Sequence, residues 1–266
     1  MKLKLDIIQT NLLAEFIDSV DFDIDDVLNK VSEEKVPADY FKFYTSISSV
    51  YSSKIEGEDI DFDSFFKHKF MNVPFEADYT KKADDLMNAY EFALTKELNL
   101  ENILESHKIL SSNLLPKSQR GLIRTNPMFV INEQDRIEYI AAEPKIVNRE
   151  MERLIADIDL LLKAKLSSTE IFYYASLVHL VFVKIHPFQD GNGRMARLIE
   201  KWFLVSKLGE KAISVGLEKN YYRNLSLYYQ NIKKLGLEYI DLDYSKSLAF
   251  LKMTTTGLKL QLENHN

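Results

Sequence analysis

Apolar residues return at three- and four-residue spacing along most of the 266-residue chain, and only eight glycines and six prolines interrupt them. That period suits helices that each turn one face to a core, so the pattern predicts an all-α fold. Helices are expected over about 6–20, 37–56, 79–96, 100–114, 145–164, 168–185, 193–208, 219–234 and 243–258. Asn99 and Ser168 read as N-caps, and Gly57 and Gly209 as C-terminal stops. One stretch breaks the period. Met128-Phe-Val-Ile131 and Ile137-Glu-Tyr-Ile140 are short β-prone runs on either side of Asn132-Glu-Gln-Asp-Arg136, which predicts a small hairpin inside the helical fold. The sequence has no internal repeat, low-complexity tract or clear interdomain linker.

Composition narrows the partners. A chain of this length can bury a substantial core unaided. The net charge of −6 and a pI near 5.5 argue against holding duplex DNA or an anionic membrane through a global positive field. No nucleic-acid or membrane partner is therefore expected, and any anion site must be local. Cysteine is absent, which excludes disulfides and thiolate metal sites and suits a reducing compartment, so a cytoplasmic protein is expected. Met1-Lys-Leu-Lys-Leu-Asp6 leads into no sustained apolar stretch, and nothing later approaches the roughly 20 apolar residues of a membrane span.

Residues 176–198 carry the chemistry. An almost wholly apolar segment runs into His186-Pro-Phe-Gln-Asp-Gly-Asn-Gly-Arg194 and then into an amphipathic helix. Pro187 disfavours α geometry at His186, so the first helix should end there with the imidazole at the mouth of the loop. Gly191 and Gly193 leave room for a ligand to approach successive N–H groups at the next helix's N-terminus, an anion cradle. Arg194 lies in the first turn, where the helix dipole disfavours cations, and Arg197 follows it on the same side. A bound triphosphate resolves that conflict, since each guanidinium can take a separate phosphate. Asp190 then needs a hard cation between itself and phosphate, which points to Mg²⁺. A neutral imidazole at His186 suits proton removal from an attacking hydroxyl.

Two other readings compete. Gly191-Asn-Gly193-Arg-Met-Ala196 also fits a dinucleotide fingerprint with Glu218 as ribose partner, but the glycines do not directly follow the apolar run and no further series of parallel strands is visible. A P-loop fails because no Lys-Ser/Thr follows the glycines.

The run His186-Pro-Phe-x-Asp-Gly-Asn-Gly-Arg-x-x-Arg197 resembles the signature of the Fic family, most of whose members transfer AMP from ATP to protein hydroxyls. Nine specified positions match, a coincidence on the order of 10⁻⁹ at average residue usage. The resemblance implies a Fic-type helical core with a β-hairpin flap. It implies His186 as general base, Phe188 as the loop's apolar anchor, Asp190 as Mg²⁺ ligand and Gly191-Asn192-Gly193 around the α- and β-phosphates. Arg194 would stabilise the β-phosphate and Arg197 the γ-phosphate. Gly121-Leu-Ile-Arg124 followed by Met128, Phe129, Val130 and Ile131 is similar to the family's flap, which aligns a target's backbone by strand pairing. Tyr221 and Tyr222 lie where relatives often carry tyrosines near adenine, and Tyr229 where some have an asparagine that contacts the base.

Ser52-Ser-Lys-Ile-Glu56-Gly57 resembles the family's inhibitory motif. Ser52 and Glu56 share a helical face and Gly57 ends the helix; in relatives the glutamate pairs with the second arginine, here Arg197. The expected division is an N-terminal helical region 1–98 with the inhibitory helix, a catalytic core 99–236 and a C-terminal helical extension 237–266, with no C-terminal DNA-binding domain. The function implied is a protein adenylyltransferase using ATP and Mg²⁺, braked by Glu56, acting on an unidentified protein target. Removal of AMP by the same site, a nucleotide-binding module without turnover, other diphosphate donors, self-modification and a homodimer stay open.

Overall fold

A computed structural model describes residues 3–32, 39–71, 73, 80–131 and 134–263. The starts of the expected helices at 37 and 79, and Asn132 and Glu133 of the expected turn, lie outside them. The N-terminal part contains α1 (Leu13–Asp18), α2 (Ile24–Ser32), α3 (Tyr40–Ile55), α4 (Phe62–Met71) and α5 (Lys81–Ala93). After α6 (Leu100–Leu110) comes the hairpin, β1 (Phe129–Ile131) and β2 (Ile137–Ile140). Then follow α7 (Pro144–Lys163), α8 (Ser168–Ile185), α9 (Asn192–Leu208), α10 (Leu217–Arg223), α11 (Leu225–Lys233) and α12 (Leu248–Glu263). The fold is all-α with one two-stranded antiparallel hairpin among the described residues.

The centre is set by α8, whose residues from Ile171 to Phe182 are all buried. A helix apolar on every side has to be surrounded, and α1, α7, α9 and α12 pack around it. α9 is buried continuously from Arg194 to Leu204, so the loop between α8 and α9 is held by two rigid, interior helices. One apolar core takes side chains from residue 7 to residue 258.

α3 is of a different kind. It packs on α5 and α10, and it buries Ser46, Ser48, Ser49, Ser52 and Ser53 beside Tyr44, Val50 and Ile55. Ser48 donates to the buried Glu218 (3.0 Å), which also accepts from Tyr90 on α5 (2.8 Å). The helix is thus attached through polar contacts as well as apolar ones.

Several expected elements change. The segment expected to be helical from residue 6 starts as a non-helical bend, because the backbone N–H groups of Asp6, Ile7 and Ile8 all donate to the buried carboxylate of Asp157, at 2.8 Å each. A partner about 150 residues away overrides the local period. α2 and α4 were not expected, although Asp23 caps the first through Asp26 N–H and Asp61 the second through Ser64 N–H. The expected helix 219–234 breaks at Asn224 into α10 and α11. The expected helix 243–258 begins later, at Leu248, after a short 3-10 turn. Ser167, not Ser168, caps α8, in a reciprocal box with Glu170.

Asp157→Ala should cost on the order of 3 kcal/mol by leaving three N–H groups without their acceptor. That lowers the melting temperature by roughly 6–12 °C in a chain of this size. A change within about a degree in a thermal melt would contradict the anchoring role.

Candidate active site

α8 ends at His186, which adopts a left-handed conformation (φ 54°, ψ 59°) just before Pro187 and so leaves the helix. The turn that follows is tied from three sides. The Asn192 side chain closes it, accepting from Phe188 N–H and donating to Phe188 C=O, both at 2.8 Å. The Phe188 ring is buried and stacks on His107 of α6 with centroids 3.6 Å apart. His107 Nδ1 accepts from Gly121 N–H (2.9 Å), so its Nε2–H donates to Asp190 C=O (2.9 Å). Arg124 clips the base: Nε donates to His186 C=O (2.7 Å), while its other nitrogens reach Asn126 and Ala142 at the foot of the hairpin.

These ties impose φ +80° on Gly191, where a Cβ would also meet Leu110 at 3.0 Å. α9 then begins, its first ladder bond running from Met195 N–H to Gly191 C=O (2.9 Å). The N–H groups of Asn192, Gly193 and Arg194 lie ahead of that ladder, the usual state of a helix N-terminus that receives an anion.

A cavity of about 350 Å³ opens over this turn. Its floor carries His186, Asp190, Gly191, Asn192, Gly193 and Arg197, its wall Tyr228 and Tyr229 of α11, and its cover Met128, Phe129 and Val130 of the hairpin. Burial pushes the His186 imidazole down to about 4, so it is neutral at pH 7. Nδ1 lies 3.1 Å from Val183 C=O and must carry the proton to donate there, which leaves the Nε2 lone pair free to accept one.

Glu56 reaches into the same space. Its Oε1 lies 2.6 Å from Arg197 Nη2 and 2.6 Å from where a Cβ on Gly193 would stand, so the carboxylate rests against the start of α9. Burial alone would raise its carboxyl, but the guanidiniums of Arg197 and Arg194 outweigh that and hold it below the ordinary value. Ser52 of the same helix face accepts from Arg197 Nε through its hydroxyl (2.8 Å) and from Nη2 through its carbonyl (3.1 Å). Gly57 follows with φ +86°.

Comparison with known proteins bears on the fold that holds this site. A family model described as the Fic/DOC family matches residues 97–204. Those residues are a Fic domain. The chain is 31% identical over 103 residues to the protein adenylyltransferase fic-1 of Caenorhabditis briggsae and 32% identical to that of Caenorhabditis elegans. The matched part is 39% of this chain and 18% of each of those proteins, so the chain spans well under two thirds of their length. Among solved structures, a Fic family protein from Desulfovibrio desulfuricans aligns with TM-score 0.76 at 15% identity, covering 99% of this chain and 78% of that one. A Fic domain containing signaling protein from Bacteroides thetaiotaomicron aligns with TM-score 0.65 at 18% identity, covering 89% and 95%. These two establish the fold.

Not every expected site residue reaches the cavity. Tyr221, expected beside adenine, is fully buried behind α9, with its hydroxyl on Glu200 (2.8 Å). Tyr222 packs against Tyr51 (5.8 Å) and Lys54 (5.2 Å), also away from the cavity. The break at Asn224 turns α11, and with it Tyr228 and Tyr229, toward the ligand space instead. Ile131 pairs with Ile137 and is exposed outside the lining. The Asn192 side chain is spent on closing the turn, so contact there falls to its backbone. Arg194 is buried but does not line the cavity. Its Nη2 pairs with Glu58 (3.1 Å), and its Nε is buried without a partner among the described residues.

The sequence reading missed His107 and Glu58, and it placed Arg124 only as part of the flap approach. Each acts across a gap of 60 residues or more, to Asp190, Arg194 and His186 respectively. Glu58 alone had a local signal, two residues beyond the Glu56 motif.

In a ¹³C-histidine NMR titration, His186 should protonate with a midpoint near 4. Glu56 favours the imidazolium, so Glu56→Gly should move that midpoint lower still. A wild-type midpoint near the ordinary ~6.5, or an upward move in the variant, would contradict this electrostatic picture.

Proposed function

We propose that the chain is a protein adenylyltransferase that moves AMP from ATP to a Ser, Thr or Tyr hydroxyl of a protein and is braked by Glu56. The observation that carries the reading is the convergence on one cavity of a neutral imidazole with a free Nε2, the N-terminal N–H groups of α9 and a buried guanidinium. The amides and the guanidinium suit a triphosphate, and the imidazole suits the hydroxyl that attacks it. The target hydroxyl attacks the α-phosphorus as His186 Nε2 takes its proton, the bond to the β-phosphate oxygen breaks, and pyrophosphate leaves. Catalysis is then mainly positioning and charge stabilisation by the α9 amides and Arg197.

Mg²⁺ fits the donor set. Among the described residues no cluster of three or more His, Cys, Asp or Glu could form a cage, and this ion is commonly bound by one or two carboxylates plus phosphates and water. Asp190, exposed and on the cavity floor, would hold it, and the ion would offset phosphate charge. β1 has β2 as its one neighbour among the described residues, which leaves its outer edge for a target strand. In this reading 1–98 supplies the brake, 99–236 the site and 237–266 a supporting extension. Among the described residues no helix is long and apolar enough to cross a membrane, and the lack of cysteine supports a cytoplasmic setting.

The brake follows from competition for one guanidinium. At 4 Å and an effective dielectric of 20, such a pair attracts by about 4 kcal/mol before desolvation. The Glu56 side chain is 30% exposed, which cuts the net effect to the order of 1–2 kcal/mol. A second use of the site is supported by the same carboxylate: ionised and in the cavity, Glu56 could orient water to remove AMP. Release of AMP from a pre-labelled protein by the wild type, lost in Glu56→Gly, would support that use.

With α-phosphate-labelled ATP and Mg²⁺, Glu56→Gly should label itself or added protein roughly tenfold faster than wild type, and adding His186→Ala should abolish labelling. A mass gain of one adenylyl group identifies the product. Equal labelling by wild type and Glu56→Gly would remove the brake, and labelling that survives His186→Ala would remove the base.

A further inference from the structure

Arg197 makes four side-chain hydrogen bonds among the described residues, and three of them come from α3: two to Ser52 and one to Glu56. Any movement of α3 that frees the guanidinium removes all three together. The fourth comes from the opposite side, where Nη1 donates to the Tyr228 hydroxyl at 3.3 Å.

That hydroxyl belongs to a buried chain. Tyr228 is 1% exposed, and its oxygen lies 3.0 Å from His179 Nε2; His179 Nδ1 lies 2.6 Å from Glu200 Oε2. Glu200 also accepts from Tyr221 (2.8 Å) and Thr254 (2.9 Å). The directions follow for the His179 tautomer that carries its proton on Nδ1. Arginine can only donate, so Tyr228 accepts from it and gives its single proton to His179 Nε2. His179 Nδ1–H then donates to the carboxylate. Tyr228 thereby turns a lone pair to Arg197, and the chain links the guanidinium to the Glu200 carboxylate. His179 and Glu200 sit on α8 and α9, the fixed centre of the fold.

We infer that Glu200, His179 and Tyr228 form a positioning chain that keeps Arg197 aimed into the cavity when α3 no longer holds it. This rests on the proposed role of Arg197 at the terminal phosphate of the nucleotide. Tyr228 also lines the cavity, so its ring and its hydroxyl have separate tasks: the ring is wall, the hydroxyl is the last link to Arg197.

The test is calorimetric binding of ATP and of AMP, with Mg²⁺, to full-length variants in the Glu56→Gly background. AMP lacks the phosphate that Arg197 would contact. Adding Tyr228→Phe, which removes one oxygen and keeps the ring, should weaken ATP about tenfold, as expected for losing a hydrogen bond to a charged group, and leave AMP within about twofold. His179→Phe should act likewise. His179→Gln, whose amide can accept from Tyr228 and donate to Glu200, should recover most of the ATP affinity. A thermal melt of each variant separates folding loss from this effect.

Unchanged ATP affinity in Tyr228→Phe would overturn the inference. So would equal weakening of ATP and AMP, or a Gln variant no better than Phe. If the predicted ATP-specific loss is seen but Glu56→Gly transfers nothing, the positioning chain stands and the adenylyl-transfer reading fails.

Discussion

A buried guanidinium is the constraint around which this structure is organised. Arg197 is 1% exposed and cannot lose its charge, so the fold has to supply oxygen on every side of it. Ser52 and Glu56 do so from α3, and Tyr228 does so from α11. One N–H of Nη1 remains beyond those four bonds, on the residue that borders the cavity. The same requirement explains the Ser-rich face of α3. A helix that brings a serine hydroxyl, a serine carbonyl and a carboxylate to a guanidinium has to lie close to it, and small side chains permit that approach.

The turn between α8 and α9 serves the same end by a different route. Its shape is set by Asn192, Phe188, His107 and Arg124 from within and beneath, so the N-terminal amides of α9 are fixed before any ligand arrives. Preorganised donors of this kind cost nothing to align at the moment of reaction. Two carboxylates currently answer the positive charge, Glu56 on Arg197 and Glu58 on Arg194, and Lys82 also holds Glu58 at 2.9 Å. In the proposed function Arg197 is released to phosphate, which makes α3 and the residues just after it the regulated part and α8 with α9 the constant part.

How much could be read from the sequence follows from the range of the interactions. The α8 end, the glycine turn and the α9 start were legible because Pro187, Gly191 and Gly193 act on their own backbone. The hairpin was legible from two short β-prone runs. The α2 and α4 signals were present too, in Asp23 and Asp61 and in apolar residues at helical spacing such as Ile24, Val27, Leu28 and Val31, and went unread. By contrast, the bend at 6–8 depends on Asp157, and no local pattern contains that carboxylate. The exchange of Tyr221 for Tyr228 and Tyr229 has the same origin. All three lie on Tyr-rich helical stretches, and the break at Asn224 together with the buried Glu200 decides which of them face the ligand. Arg194 was read as a phosphate contact from its place in the first turn, but its present partner, Glu58, comes from a segment 136 residues earlier.

The most direct measurement is a crystal structure of Glu56→Gly with Mg²⁺ and a non-hydrolysable ATP analogue. The account predicts the terminal phosphate on the Arg197 guanidinium, with Tyr228 still behind it. The α-phosphate should lie at the α9 N-terminus, leaving room for a hydroxyl about 3–3.5 Å from the phosphorus and within reach of His186 Nε2. Phosphates bound elsewhere, or an imidazole facing away from the α-phosphate, would contradict it.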